Sequence, residues 1–186
     1  MPATHELNMT ATTLSKRLEA ELKLLKRLII ANDDFARAAQ FARLIEERNL
    51  HAAPFEPDCY LLEAMTTALI VAYWRPFSEN SGAGTVASLP KAALKQFTPP
   101  ELRLHDRIGL HRNTECAHSD GDIMGVRVSV RELNEQRFVI PIHRDRSGLL
   151  SREDIATVRT MITKLLGYIM EQQLRIQVLL PAQERF

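Results

Sequence analysis

The sequence predicts an all-α protein, an antiparallel helical bundle with one small β-hairpin inserted before the last helix. Three observations carry that expectation. Leu14, Leu18, Leu22, Leu25 and Ile29 follow at steps of four, four, three and four, which holds them on one face of a helix. Towards the other end, Ile155, Val158, Ile162, Leu165, Ile169, Gln172, Ile176 and Leu179 alternate steps of three and four, a long seam in which only Gln172 is polar. Strict alternation occurs in one place, between Val126 and Ile142. Seven glycines and an aromatic content of 6% suit helices better than a sandwich or barrel. A chain of 186 residues, 45% of them apolar, is one domain over 1–186 with enough material for a substantial core.

Taken in order, residues 1–10 are polar and expected to be disordered, and the first helix starts near Ala11. Asn32-Asp33-Asp34 reads as its stop and as the cap of a second helix over 34–48, with Phe35, Ala38, Ala42 and Ile45 inward. Lys16, Arg17, Lys23, Lys26 and Arg27, interleaved with Glu19 and Glu21, read as a solvated outer face. His51 to Pro57 is a linker. Pro57 and Asp58 start a third helix in which Cys59 to Trp74 is apolar on every side except Glu63, the pattern of a central helix around which the others pack. Pro76 ends it, and Arg75 sits where a cation complements the helix dipole. Ser78 to Gly84 is a flexible segment, and Pro90 to Phe97 a short helix. Thr98, Pro99 and Glu101 open the next helix with a capping box, and His118-Ser-Asp-Gly closes it near Ala117 or His118. The hairpin excursion covers 125–143, turning at Asn134-Glu-Gln; Pro141 cannot donate to a ladder and marks an edge. Ser151-Arg-Glu-Asp154 caps the final helix.

Several function classes drop out. A net charge of +1 gives no global attraction to nucleic acid or to an anionic membrane, so any such affinity is local. The apolar run of the third helix is shorter than the roughly 20 residues a membrane span needs. There is no signal-peptide pattern at the N-terminus, and Cys59 and Cys116 make no disulfide framework, so a cytoplasmic location is expected. Gly-x-Gly-x-x-Gly, Gly-Lys-Ser/Thr and Gly-x-Ser-x-Gly are missing, and with them dinucleotide, P-loop and hydrolase-elbow readings.

Chemistry concentrates in residues 98–122, which hold three of the six histidines. Within them lies Arg112-Asn113-Thr-Glu-Cys-Ala-His118. Arginine followed by a polar residue, with histidine six positions on, resembles the R-x(4–6)-H motif of the HEPN superfamily of small all-helical proteins. Two N-terminal helices, an apolar third ending Tyr73-Trp-Arg-Pro-Phe77, the motif helix and a long last helix are similar to that family's order over nearly the whole chain. The resemblance implies RNA or nucleotide, rather than DNA, as the ligand, a homodimer with a composite site at its interface, and a possible protein antitoxin as partner. It implies no cofactor.

The residue types suit metal-independent cleavage of RNA, whose 2′-hydroxyl is the nucleophile. His118, with an ordinary pKa near neutrality, serves as general acid and base. Arg112 matches two phosphate oxygens with a fork that never loses its charge, and Asn113 orients one of them or the substrate. On a straight helix Arg112 and His118 diverge by about 120°, so they share a phosphate only if the helix unwinds or two copies pool their residues. His111 and His118 lie within about 20° of each other, which makes His111 a candidate second proton carrier. Arg75, Arg127 and Arg144 are candidate binding residues, Arg75 through the Tyr-x-Arg-Pro-Phe pattern and the other two through the local positive charge of the hairpin and of His143-Arg-Asp-Arg146. A metal site is not expected: His105, His111, Cys116, His118, Asp120 and Asp122 match no zinc spacing. The alternative is a non-catalytic dimerisation or binding module, in which Arg112 pairs with Glu115 or Asp106, His118 caps the helix end, and the hairpin arginines only protect an edge.

Overall fold

A computed structural model of the chain describes residues 3–52, 58–78, 88–113, 127–133, 136–142 and 150–180. Four α-helices, α1 (Ala3–Glu47), α2 (Asp58–Trp74), α3 (Pro99–His111) and α4 (Arg152–Gln177), form the body. Short 3-10 turns occupy Leu50–Ala52, Arg75–Phe77 and Lys91–Gln96. A two-stranded antiparallel hairpin, β1 (Arg127–Leu133) and β2 (Gln136–Ile142), precedes α4. The fold is all-α with a small hairpin before the last helix. Among the described residues, no helix is long and apolar enough to cross a membrane.

The first two expected helices are one. α1 runs unbroken for 45 residues, about 67 Å, starting at Ala3 rather than near Ala11. Asn32-Asp33-Asp34 does not stop it. Leu28, Ala31, Phe35, Ala38, Ala42 and Ile45 are all fully buried at steps of three, four, three, four and three, a seam that crosses the acidic triplet without a break. Burying each larger side chain is worth about 1.5–3 kcal/mol, more than the few tenths that aspartate or asparagine costs a helix interior. Asp34 is itself buried, its carboxylate 3.7 Å from the Arg75 guanidinium. Two residues past the end of α1, Asn49 has a φ of 51°, the left-handed region that asparagine tolerates after a helix.

That length makes α1 the central helix, a place expected for α2 from its apolar pattern. α1 packs against both α2 and α4, whereas α2 shows a half-exposed flank on which Tyr60 is 60% exposed. Ion pairs at both ends of α4, Arg159 with Glu46 and Arg175 with Glu21 at 2.7 Å, hold α4 antiparallel to α1. Arg27, expected on the solvated face, is buried and donates through Nη2 to the Arg75 carbonyl at 2.8 Å. It therefore complements the C-terminal dipole of α2 from a neighbouring helix. Ile29, the last residue of the apolar face read from Leu14, is 51% exposed, whereas the neighbouring Leu28 is fully buried.

α4 follows expectation more closely. Ser151 and Asp154 form the capping box, with Ser151 N–H donating to Oδ2 at 2.9 Å and Asp154 N–H to Oγ at 3.1 Å. Ile155, Val158, Ile162, Leu165, Ile169 and Ile176 are buried. Leu179 is not, because the helix stops at Gln177. On the hairpin, Val130 and Phe138 are exposed, and every described side chain except Ser129 faces solvent.

Core and rim should separate in urea unfolding. Phe35→Ala and Leu165→Ala are each expected to cost about 3 kcal/mol, and Leu179→Ala less than about 1 kcal/mol.

Candidate functional site

The site begins with what holds α3 in place. The Glu101 carboxylate accepts from Thr98 N–H at 2.6 Å and from the Thr98 hydroxyl at 3.0 Å, which caps the helix as the sequence indicates. Both of its oxygens also take Lys164 Nζ of α4 at 2.8 Å. Burial alone would raise the Glu101 pKa, but the bonds from Lys164 and Thr98 outweigh it and hold the carboxyl below its ordinary value. Arg107 pairs with Asp154, a second tie to α4.

The other side of α3 meets the end of α2 in an aromatic cluster. His105 is 4% exposed and lies among Tyr73, Trp74, Phe77 and Phe97, with ring centroids 5.9, 4.8, 4.7 and 6.1 Å away. Its Nδ1 is 2.9 Å from the Tyr73 hydroxyl. Burial lowers the His105 pKa against the opposing charge of Asp106. Burial, then the charges of Glu101 and Asp106, holds the Tyr73 phenol well above its usual value. Both partners are therefore neutral, and the hydrogen bond satisfies a polar pair inside an apolar cluster. One turn further on, Gly109 lies under Trp74 so closely that a Cβ there would be 2.2 Å from the indole Cη2. Only glycine permits that approach.

This bracing sets the direction of the next turn, which carries His111, Arg112 and Asn113. Strict α-helical geometry runs to His111, and the expected helix end at Ala117 or His118 lies outside the described residues. Arg112 and Asn113 form a π-type turn, with Arg112 N–H directed to the carbonyls of Gly109 and Ile108. Such turns depart from strict α geometry, here at Arg112 and Asn113. Arg112 is partly buried, and its Nη1 donates to Asn113 Oδ1 at 3.0 Å. Among the described residues Arg112 has no carboxylate partner, Asp106 included. His111 is partly buried and engaged in an interaction of its own.

The remaining candidates divide. His118 and Arg144 lie outside the described residues, and so do Cys116, Asp120 and Asp122. Arg127 opens β1 opposite Ile142. Arg75 turns its guanidinium to Asp34 on α1 rather than to Arg112. Among the described residues no three of His, Cys, Asp and Glu gather as a metal site. His105, a possible ligand by composition, has Nδ1 committed to Tyr73. A cleft of about 170 Å³ lies elsewhere, where Ile45, Glu46, Asn49 and His51 meet Arg152 and Ala156. None of the sequence-predicted site residues lines it.

Sequence reasoning missed His105, Tyr73 and Gly109 as the elements that aim the motif turn. The signal was present: one glycine and one histidine four apart on a helix, facing a Tyr-Trp pair. Two predictions follow from that packing. Gly109→Ala should lower the melting temperature, by the equivalent of about 1–3 kcal/mol, because the indole must move. Acid should also weaken the fold through His105. The unfolded chain protonates histidine at about pH 6.5, while the native state holds His105 neutral at lower pH. The unfolded state thus binds more protons below about 6.5 and stability falls as pH drops through that range. Melting curves from pH 7.5 to 5 should show this slope in wild type and a shallower one in His105→Phe.

No protein-family model, curated protein or solved structure matches this chain.

Proposed function

We propose that this protein is a metal-independent endoribonuclease of HEPN type, acting as a homodimer in the cytoplasm with Arg112, Asn113 and His118 at a composite site. The observation that carries the reading is the Arg112–Asn113 hydrogen bond at the π-type turn that ends a helix braced from two sides. A guanidinium oriented before substrate arrives loses less on binding a phosphate than a free one. In the proposed reaction the 2′-oxygen attacks the adjacent phosphorus as histidine removes its proton. The bond to the 5′-oxygen breaks, that oxygen receives a proton, and a 2′,3′-cyclic phosphate remains. Arg112 stabilises the non-bridging oxygens as charge develops. His111, Arg127 and Arg144 are proposed to contact the rest of the RNA, and a protein antitoxin is the proposed regulator.

A second reading, a non-catalytic dimerisation or binding module, is favoured by one specific observation. Tyr73, Pro76, Phe77 and His105 are employed in packing and Arg75 faces Asp34, so this part of the family-like pattern has a structural use without chemistry.

The experiment is cleavage of a mixed RNA pool. Activity should survive EDTA, leave 2′,3′-cyclic phosphate ends, and fail on RNA carrying 2′-methoxy groups at the cut. His118→Ala should abolish it with unchanged melting. Arg112→Lys should stay about a hundredfold slower, near 3 kcal/mol, because lysine keeps the charge and loses the fork. Cleavage that needs added zinc or magnesium would contradict the mechanism; no cleavage by wild type, with His118→Ala lowering stability, supports the module.

A further inference from the structure

We propose that the cleft between the end of α1 and the start of α4 binds a free α-amino acid with a short aliphatic side chain. Ile45, Glu46, Asn49, His51, Arg152 and Ala156 line it, and its volume is about 170 Å³. A water's share of the liquid is about 30 Å³, so the space holds roughly six waters, or one small amino acid. Ile45, fully buried, and Ala156 supply its apolar surface.

The polar side chains of the cleft are held in place and, among the described residues, keep hydrogen-bonding capacity unspent. Asn49 is fixed through its backbone: its N–H donates to the Glu46 carbonyl at 2.9 Å, and its carbonyl accepts from Ala52 N–H at 2.9 Å. Its Oδ1 accepts from Arg152 Nη2, which leaves both protons of Nδ2 as donors. Arg152 spends one N–H on that bond and keeps the rest of its fork. Glu46 gives Oε2 to Arg159 and keeps Oε1 as an acceptor. His51 Nε2 lies 3.0 Å from the Leu150 carbonyl. A carbonyl can only accept, so Nε2 carries the proton and Nδ1 of the neutral ring offers a lone pair.

Donors and acceptors are thereby sorted around one small space. Arg152 and Asn49 present N–H groups, which suit a carboxylate through charge-assisted bonds. Glu46 Oε1 and His51 Nδ1 present lone pairs, which suit an ammonium. A simple anion would use only the first pair and a simple cation only the second. An α-amino acid carries both charges on neighbouring atoms, and its side chain meets Ile45 and Ala156. A whole nucleotide exceeds the space. Because the four polar groups are already held, little freedom is lost when they bind. The cleft contains no residue of the Arg112–His118 motif, so its ligand is independent of the RNA chemistry proposed above.

Backbone amide NMR of the full-length chain tests the assignment with glycine, L-valine and L-leucine as probes. L-Valine should shift the signals of Asn49, His51, Arg152 and Ala156 saturably in the millimolar range. Isovalerate lacks only the ammonium group of valine and isobutylamine only its carboxylate; each should bind about tenfold more weakly. Arg152→Met should weaken L-valine about tenfold and leave isobutylamine unaffected. Ala156→Leu fills the cleft from an exposed helical position, so it should abolish the shifts while melting stays as in wild type. No saturable shift with any of the three amino acids would overturn the proposal. So would isovalerate binding as tightly as L-valine, which would mean an anion site only, or L-valine shifts that survive Ala156→Leu. The readout is binding alone, so failure of the ribonuclease reading leaves it untouched.

Discussion

The packing of α3 on the end of α2 depends on one buried polar contact, the Tyr73–His105 hydrogen bond, inside a cluster that would otherwise be wholly apolar. An unpaired hydroxyl or imidazole there would cost about 1–3 kcal/mol, so the contact selects a single register between the two helices. Trp74 then has one place to lie, over Gly109, and the position of Gly109 fixes where the next turn projects Arg112. Lys164 and Asp154 secure the opposite flank from α4. The motif turn is an end point of these constraints rather than an independent loop.

A second buried polar contact does comparable work for the body. Arg27 is almost fully buried and reaches from α1 to the Arg75 carbonyl just past the end of α2, while Asp34, two turns on, faces the guanidinium of Arg75. Together they join the middle of α1 to the end of α2, where the aromatic cluster starts. Charges placed this deep cost desolvation; Arg27 Nη2 and the Asp34 carboxylate each have a partner, whereas Arg27 Nε is buried without one among the described residues. The reward is orientation: α1 and α3 grip the same end of α2 from different sides.

Periodicity made most of the fold legible. The inward seam of α4, the inward residues Phe35 to Ile45, the capping boxes at Thr98 and Ser151, and the paired strands of the hairpin all follow from local rules and are present in the structure. The break at Asn32-Asp33-Asp34 failed because a capping triplet is also a solvent-side and ion-pairing triplet, and a seam continuing through Leu28, Ala31 and Phe35 outweighs it. Assigning the central place to α2 failed because uniform apolarity marks many burying faces without saying which helix is longest. Arg27 was illegible for a related reason: burial of an arginine depends on a carbonyl contributed by a residue 48 positions away. At the candidate site, residue types were readable and their geometry was not. The π-type turn at Arg112 arises from how α3 ends, and no spacing rule announces it.

Residue-resolved amide hydrogen exchange in wild type and Tyr73→Phe tests the central claim, that this hydrogen bond fixes the motif helix. Losing it should speed exchange at Leu104 to Arg112 by about tenfold, an opening of about 1.4 kcal/mol, and leave Phe35 to Ile45 of α1 unchanged. Exchange in α3 that does not change, or that changes equally throughout α1, would contradict the account.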